Sequence, residues 1–280
     1  MDHESEGINS QDIENPSQSI RSLLLFTILS FIITWVFFIP AVVCVPEDYQ
    51  IVFIILGAFG PLLAAVVTIR IYAGGQGLKK WLRHVFKFRI PFSLYFAGAL
   101  FLPVGIGALQ FGLYWLCGGT PNFAEAEPWY LYLLYLLPTA LLSGGNEEPG
   151  WRGFALPALL RHVNSIGAAF ILGFIHAAWH LPLMNYYDTT FGWYLFNLIP
   201  LTVLLNWFYL ISRRSVIPVM LLHAGTNVIG AFIPTPVDVL GGFGTYMVLR
   251  GIVYWGMALV LVISTKGSLG WKPDHESLTV

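Results

Sequence analysis

Charged residues are scarce in this sequence. Asp, Glu, Lys and Arg make up 10% of the 280 residues, against about 25% in an average soluble domain. Hydrophobic residues make up 56%, and the mean hydropathy is +0.70. A soluble chain of this composition could not cover its own surface with polar groups, which excludes an ordinary soluble protein. We therefore predict an all-α integral membrane protein.

Cysteine is nearly absent, and basic residues are absent from the start of the chain. Cys44 and Cys117 are the only cysteines, so neither a disulfide framework nor a cysteine-based zinc site is expected. Residues 1–20 are polar and acidic, so we expect the first apolar segment to be a retained span rather than a signal peptide. The net charge of −1 says nothing about partners, and we expect no nucleic acid to bind.

Long apolar runs indicate membrane spans, because a helix needs about 20 residues to cross the hydrocarbon core. Eight such runs are present, at about 22–45, 50–73, 92–117, 129–160, 165–184, 191–211, 215–232 and 246–264. They predict one helical bundle over residues 21–265, between polar tails at residues 1–20 and 266–280. Glycine and proline between Gly144 and Gly150 interrupt the fourth run, so we expect a kink or a new helix start there.

Lys and Arg alternate between the connections, which predicts the orientation of the bundle. The second, fourth and sixth connections and the C-terminal tail carry them, whereas the odd-numbered connections do not. Both termini are therefore expected to be cytoplasmic; Arg250, near the outer end of the last span, is the exception. The second connection, residues 77–90, is also amphipathic. It is either an ordinary positive-inside loop or a segment that contacts anionic lipid.

Two adjacent acidic residues, Glu147 and Glu148, interrupt the fourth apolar run. An ionised group at mid-bilayer costs about 3 kcal/mol, so such a pair is unlikely to be accidental. Arg152 lies four residues after Glu148, and residues four apart share a helical face, which predicts a structural ion pair. Glu147 points about 100° away around the helix and lacks this counter-ion. We predict that Glu147 acts as a base and that Glu148 and Arg152 form a brace.

Polar side chains recur on two later spans. His176 and His180 are four residues apart, as are His223 and Asn227, so each pair shares a helical face. At about 1.5 Å per residue, Glu147 and His180 lie roughly 21–22 Å from the short fourth connection, and Asn227 lies roughly 16 Å from the same side. The three motifs can therefore meet at a similar depth.

Structural roles are the alternative for single members of this set. His176 can be a packed interhelical hydrogen bonder, Arg152 can snorkel towards the surface, and Asn227 can join two helices. The convergence of a carboxylate, two imidazoles and an amide at one depth favours a site instead.

This set of groups favours the addition of water to a carbonyl. Glu147, assisted by His180, would activate a water molecule that attacks an amide. His223 and Asn227 would hold the oxyanion. A serine nucleophile is not expected, because no Gly-x-Ser-x-Gly elbow surrounds Ser143.

Zinc is the alternative activator of that water. Suitable ligands are His176, His180, His223 and Glu147. The His-x-x-x-His spacing lacks the Glu that follows the first His in metalloprotease helices, and Asn is a poor zinc ligand. We therefore favour chemistry without a metal or other cofactor.

The three motifs resemble those of a known family. They are the segments EEPGWR (147–152), HAAWH (176–180) and HAGTN (223–227). Their order and spacing are similar to those of the CAAX protease and bacteriocin-processing family of intramembrane glutamic endopeptidases, which includes CAAX prenyl endopeptidases of the Ras-converting type and the bacterial Abi proteins. The resemblance covers about residues 125–232, and the eight-span layout is also similar.

The resemblance implies a role for each motif residue. It implies water activation by Glu147 with help from His180, and an oxyanion site at His223 and Asn227. It places the second glutamate and the arginine of the first motif on Glu148 and Arg152. The family usually has Phe or Trp at the position of His176, and this departure leaves open whether His176 joins the site or a metal.

We expect a multi-pass endopeptidase in a prokaryotic plasma membrane, which contacts membrane lipids and cleaves a peptide or protein substrate. Whether that substrate is lipid-modified stays open. The alternatives are a non-catalytic membrane immunity or scaffold protein that binds a peptide in the same cavity, a proton-coupled transporter that uses Glu147 and His180, and a zinc-dependent version of the peptidase.

Overall fold

The structure is a computed structural model that describes residues 16–87, 94–233, 235–237 and 243–271. The α-helices in these ranges are α1 (Pro16–Val43), α2 (Glu47–Ala58), α3 (Gly60–Val85), α4 (Leu94–Leu116), α5 (Tyr132–Leu142), α6 (Glu148–Gly150), α7 (Leu156–Leu159), α8 (Ser165–Trp179), α9 (Phe191–Ile211), α10 (Val216–Val228) and α11 (Phe243–Ser264). Two three-residue strands, β1 (Thr120–Asn122) and β2 (Thr235–Val237), form an antiparallel pair. The predicted helical fold is confirmed over these ranges.

Within the described residues, five helical segments are long and apolar enough to cross a membrane. They are Ser19–Val43, Glu47–Val85, Gly98–Leu116, Phe191–Ile211 and Met247–Ser264. They fall on the first, second, third, sixth and eighth predicted spans. The other three predicted spans contain the shorter helices α5, α8 and α10, and these spans carry the polar motifs. The count of eight spans and the cytoplasmic termini stay predictions.

Two helices extend well beyond their predicted spans. Helix α1 begins at Pro16, inside the predicted N-terminal tail, because proline fits the first turn of a helix without losing a hydrogen bond. Helix α3 continues to Val85, beyond the predicted span end at residue 73, and Gly74 breaks it with a φ of +67°. The rest of both predicted tails, residues 1–15 and 272–280, lies outside the described residues.

The part of α3 after this break contains most of the predicted basic connection. Trp81 and Val85, four residues apart, are buried, whereas Lys79 and Arg83 are exposed. The predicted amphipathic character is therefore confirmed. The Trp81 indole donates a 3.0 Å hydrogen bond to the carbonyl oxygen of Gly153, which ties this basic helix to the segment that carries the first motif.

The helices pack around the motif-bearing segments. Helix α1 packs on α2 and α3, α10 packs on α4 and α5, and α9 lies against both α8 and α11. The largest fully buried side chains include Trp151, Trp179 and Arg152. A buried arginine is rare unless it is paired, so the interior of the bundle must contain an acceptor for it.

Candidate active site

The candidate site begins where the fourth apolar run breaks. Helix α5 ends at Leu142, and Gly144 adopts a φ of +99°, a left-handed conformation that glycine takes without a steric penalty. A Cβ added at Gly144 would collide with the Asn227 amide nitrogen and lie 3.6 Å from His223 Nε2. The predicted break is therefore present, and glycine lets the chain pass directly against the third motif.

Three short helical forms follow the break and carry the first motif. A 3₁₀ turn covers Gly145–Glu147, α6 covers Glu148–Gly150, and a π-helical turn covers Trp151–Ala155. All of these residues are buried. A Cβ at Gly150 would lie 2.6 Å from the carbonyl carbon of Pro61, so glycine permits the close approach of α3. A π-helical turn is rare and is frequent at functional sites.

Glu148 contacts two basic side chains. Its Oε1 lies 2.9 Å from Arg152 Nη1 and 2.6 Å from His223 Nδ1. Arg152 Nε also donates to Asn206 Oδ1, on α9, at 3.2 Å. Glu148 and Arg152 are completely buried. The predicted Glu148–Arg152 ion pair is confirmed, and it belongs to a network that joins the first motif to α9 and α10.

Glu147 contacts a different set of side chains. Its Oε2 lies 2.8 Å from His176 Nε2. One ligand-type atom from each of Glu147, His176 and His180 lies within 4.8 Å of the others. Glu147 is 4% exposed. The two adjacent carboxylates are therefore divided between two networks, as their spacing predicts.

His180 follows the last residue of α8 and has a defined orientation. Its Nδ1 lies 3.0 Å from the carbonyl oxygen of His176. A carbonyl only accepts, so Nδ1 carries a proton, and in the neutral ring Nε2 keeps its lone pair. The Trp179 and Tyr194 rings lie 4.5 Å and 5.0 Å from the His180 ring. These rings cover the imidazole, and the hydrogen bond from Nδ1 to its own helix leaves Nε2 on the far side of the ring.

His176, where the sequence departs from the family pattern, lies at the centre of the site. It is completely buried, and the Trp151 ring lies 5.1 Å from it at an angle of 36°. Its Nδ1 has no hydrogen-bond partner among the described residues. The interhelical hydrogen bond expected for a packed histidine is present, and its acceptor is the proposed base, Glu147.

The third motif closes the opposite side of the site. His223 is 4% exposed, and its ring centre lies 5.9 Å from that of His176. Because Nδ1 of His223 is engaged by Glu148, Nε2 is the atom left near Gly144. Asn227 is exposed, with its amide beside Gly144. The predicted set thus converges, with Asn227 at the edge.

Three residues near the site were not predicted from the sequence. Asn206 is buried and accepts from Arg152. Tyr187 and Tyr194 stack in parallel with ring centres 5.9 Å apart, and Tyr194 lies against His180. A polar amide inside an apolar span was the available signal for Asn206. The two tyrosines carry no such signal, because aromatic residues are common throughout this chain.

Comparison with known proteins bears on this geometry. Residues 128–229 match the family described as Type II CAAX prenyl endopeptidase Rce1-like. The family resemblance is confirmed. The matched range contains all three motifs. CAAX prenyl protease 2 of Methanococcus maripaludis is 22% identical over 227 residues, which cover 71% of this chain and 80% of that protein. Both comparisons support a peptidase, and the apolar helices are those of a membrane protein.

Proposed function

We propose that this protein is an intramembrane endopeptidase in which Glu147 activates water. The division of the two carboxylates carries the proposal. Glu148 is engaged by Arg152 and His223, whereas Glu147 shares its hydrogen bond with an imidazole, that of His176. A carboxylate that forms no ion pair with the guanidinium keeps lone pairs available to accept a proton from water.

The proposed reaction needs one water molecule and no covalent enzyme intermediate. Water binds between the Glu147 carboxylate and His180 Nε2, and Glu147 takes its proton as the oxygen attacks the scissile carbonyl carbon. The tetrahedral intermediate then collapses, the C–N bond breaks, and Glu147 gives the proton to the leaving amine. The hydrogen bond from His176 fixes the rotamer of Glu147, which keeps the base in position through both transfers.

The oxyanion is proposed to bind where Gly144 meets the third motif. The Asn227 amide and His223 Nε2 both lie beside this glycine, so two groups converge on one point. Since His223 gives Nδ1–H to Glu148, Nε2 donates only from the doubly protonated ring, and the Glu148 carboxylate is then its counter-ion. Donors fixed in advance at a developing negative charge are the largest single contribution in many hydrolases.

We extend the substrate class from the compared proteins. The match is to CAAX prenyl endopeptidases and a CAAX prenyl protease, so a peptide bond near the C-terminus of a prenylated protein is the first substrate to test. Bacteriocin precursors and membrane anchors are the other classes. We further propose eight spans with both termini cytoplasmic, contact with membrane lipids, and residence in a prokaryotic plasma membrane; the compared protein is archaeal.

No metal is part of the proposed reaction. Glu147 activates the water, so a metal ion is not needed for that task. Asn227 is a poor metal ligand but a good hydrogen-bond donor to an oxyanion. A chelator is therefore expected to leave cleavage unchanged.

The test is cleavage of farnesylated CAAX peptides and a peptide library by the purified protein in detergent. Wild type is compared with Glu147→Gln, which keeps the size of the side chain and removes the base. Glu47→Gln, an exposed glutamate in the first turn of α2, is the matched control. We expect cleavage by wild type and by the control, and a loss of at least about 100-fold in Glu147→Gln.

Equal cleavage by wild type and Glu147→Gln would refute the assigned base. Loss of wild-type activity on chelation, with recovery on zinc addition, would refute the metal-free reaction. Peptide binding by both proteins without cleavage of any library member would favour the non-catalytic immunity or scaffold role.

A further inference from the structure

The structure points to a second property of the same cavity. We propose that Glu147, His176 and His180 bind a divalent transition-metal ion, zinc above all, and that the bound ion inhibits the enzyme. The inhibition rests on the proposed function, whereas the binding does not. The residue that creates this site is His176, which occupies a position where an aromatic residue would supply no ligand.

The ligand set has suitable composition and spacing. One carboxylate oxygen and two imidazole nitrogens lie within 4.8 Å of one another, and the Glu147–His176 pair is already at 2.8 Å. Two histidines and one glutamate are a recognised zinc set, with Zn–N of about 2.0–2.1 Å and Zn–O of about 2.0–2.2 Å. Small side-chain rotations would close the remaining gap. Imidazole nitrogen favours zinc, cobalt and nickel over calcium or magnesium.

The histidine nitrogens are prepared for coordination. His180 Nδ1 donates to the His176 carbonyl, the outer hydrogen bond that metal-bound histidines usually make, and it leaves Nε2 free to bind. Coordination by His176 Nε2 requires its proton to move to Nδ1. That atom is buried and has no hydrogen-bond partner in the described part of the chain. The change therefore breaks only the Nε2–H hydrogen bond to Glu147, which bonds from both groups to the ion would replace.

The charges around the cavity also favour a cation. Glu147 and Glu148 are neighbours in one segment, and Arg152 neutralises Glu148 through their ion pair. The three ligand residues, with neutral imidazoles at His176 and His180, therefore carry the −1 charge of Glu147, which attracts a divalent ion. The Trp151 and Trp179 rings adjoin His176. These rings keep the site poor in water, which strengthens charge interactions.

Occupancy removes the groups that the reaction uses. The ion would take the lone pairs of Glu147 and of His180 Nε2, the two atoms that hold the attacking water. The remaining carboxylate, Glu148, is already engaged by Arg152 and His223. A metal-bound enzyme would therefore retain no carboxylate able to serve as the base.

The first arm of the test measures binding alone. Full-length protein in detergent is freed of metal by chelation, then titrated with Co²⁺ by visible absorption and with Zn²⁺ against a chromophoric chelator. We expect one ion per protein, with an affinity at least about tenfold lower in each of Glu147→Gln, His176→Phe and His180→Ala. His162→Ala, an exposed histidine in the connection before α8, should bind as wild type does.

A wild type that binds no ion would refute the site, as would an affinity that none of the three substitutions changes. Thermal unfolding guards against misfolding: each variant must unfold cooperatively, and zinc should raise the unfolding temperature of wild type and of His162→Ala only.

The second arm measures cleavage in the presence of zinc. We expect at least tenfold inhibition of wild type that a chelator reverses. Activation by zinc would overturn the inhibitory role. The two proposals fail separately, because a protein that binds zinc at these residues but cleaves no probe refutes the peptidase, whereas one that cleaves without binding zinc refutes the metal site.

Discussion

The buried ion pair between Glu148 and Arg152 makes a quantitative prediction for stability. Arg152→Met replaces the charged guanidinium with an apolar side chain of similar length. Glu148 then remains completely buried with His223 as its partner, and the carboxylate of Glu147 lies in the same segment. Breaking a buried pair by removing one member costs about 3–5 kcal/mol, because the other charge is left without compensation.

The assay is thermal unfolding of the purified protein in detergent. At about 2–4 °C per kcal/mol for a chain of this size, the variant should lose about 6–20 °C. Arg70→Met, an exposed arginine of α3, is the matched control and should change stability by less than about 0.5 kcal/mol.

A double variant separates charge from packing. Glu148→Gln keeps an oxygen that accepts from His223 and removes the unpaired charge, so Arg152→Met with Glu148→Gln should recover at least about half of the lost stability. A decrease of less than about 2 °C in the unfolding temperature of Arg152→Met would refute the buried pair. A double variant no more stable than the single one would show that packing rather than charge is responsible.

Three further predictions concern the surroundings of the site. Gly144→Ala forces a Cβ into the Asn227 amide at a positive φ, so cleavage should fall at least about tenfold. Gly256→Ala, whose added Cβ would have nothing within 4 Å, is the control and should keep wild-type activity. Equal activities of the two variants would show that the close approach at Gly144 is unimportant. Asn206→Leu leaves Arg152 Nε without its acceptor and should cost about 1–3 kcal/mol of stability in the same unfolding assay; an unchanged unfolding temperature would remove Asn206 from the network. Replacing Lys79 and Arg83 with Gln on the exposed face of α3 should weaken the retention of anionic lipid, measured by native mass spectrometry, by about 1 kcal/mol per charge. Unchanged retention would favour the alternative, an ordinary positive-inside connection.

Local relations in the sequence predicted local geometry well. The Glu148–Arg152 pair depends on a spacing of four residues, and the break near Gly144 depends on glycine and proline in an apolar run. Both are confirmed, because each is decided within one or two helical turns. The sequence also predicted that Glu147 would face away from Arg152.

Relations between helices were predicted less completely. His176 rather than His180 makes the hydrogen bond to Glu147, since the rotation of α8 against the motif segment is decided by packing of rings such as Trp151 and Trp179. The contribution of Asn206 depends on how α9 meets the first motif, which no spacing within one span reveals. The π-helical turn likewise has no sequence signal, although it alters the direction of every residue after Trp151.

The order in which the buried network is synthesised follows from its spacing along the chain. Arg152 emerges from the ribosome within four residues of Glu148, whereas His223 follows Glu148 by 75 residues, which takes roughly 4–15 s at about 5–20 residues per second. His176 follows Glu147 by 29 residues. During biogenesis Glu147 therefore lacks its partner until His176 is synthesised, whereas the partner of Glu148, Arg152, follows within one helical turn. The segment that carries both must stay near water, or in the insertion machinery, until α8 arrives.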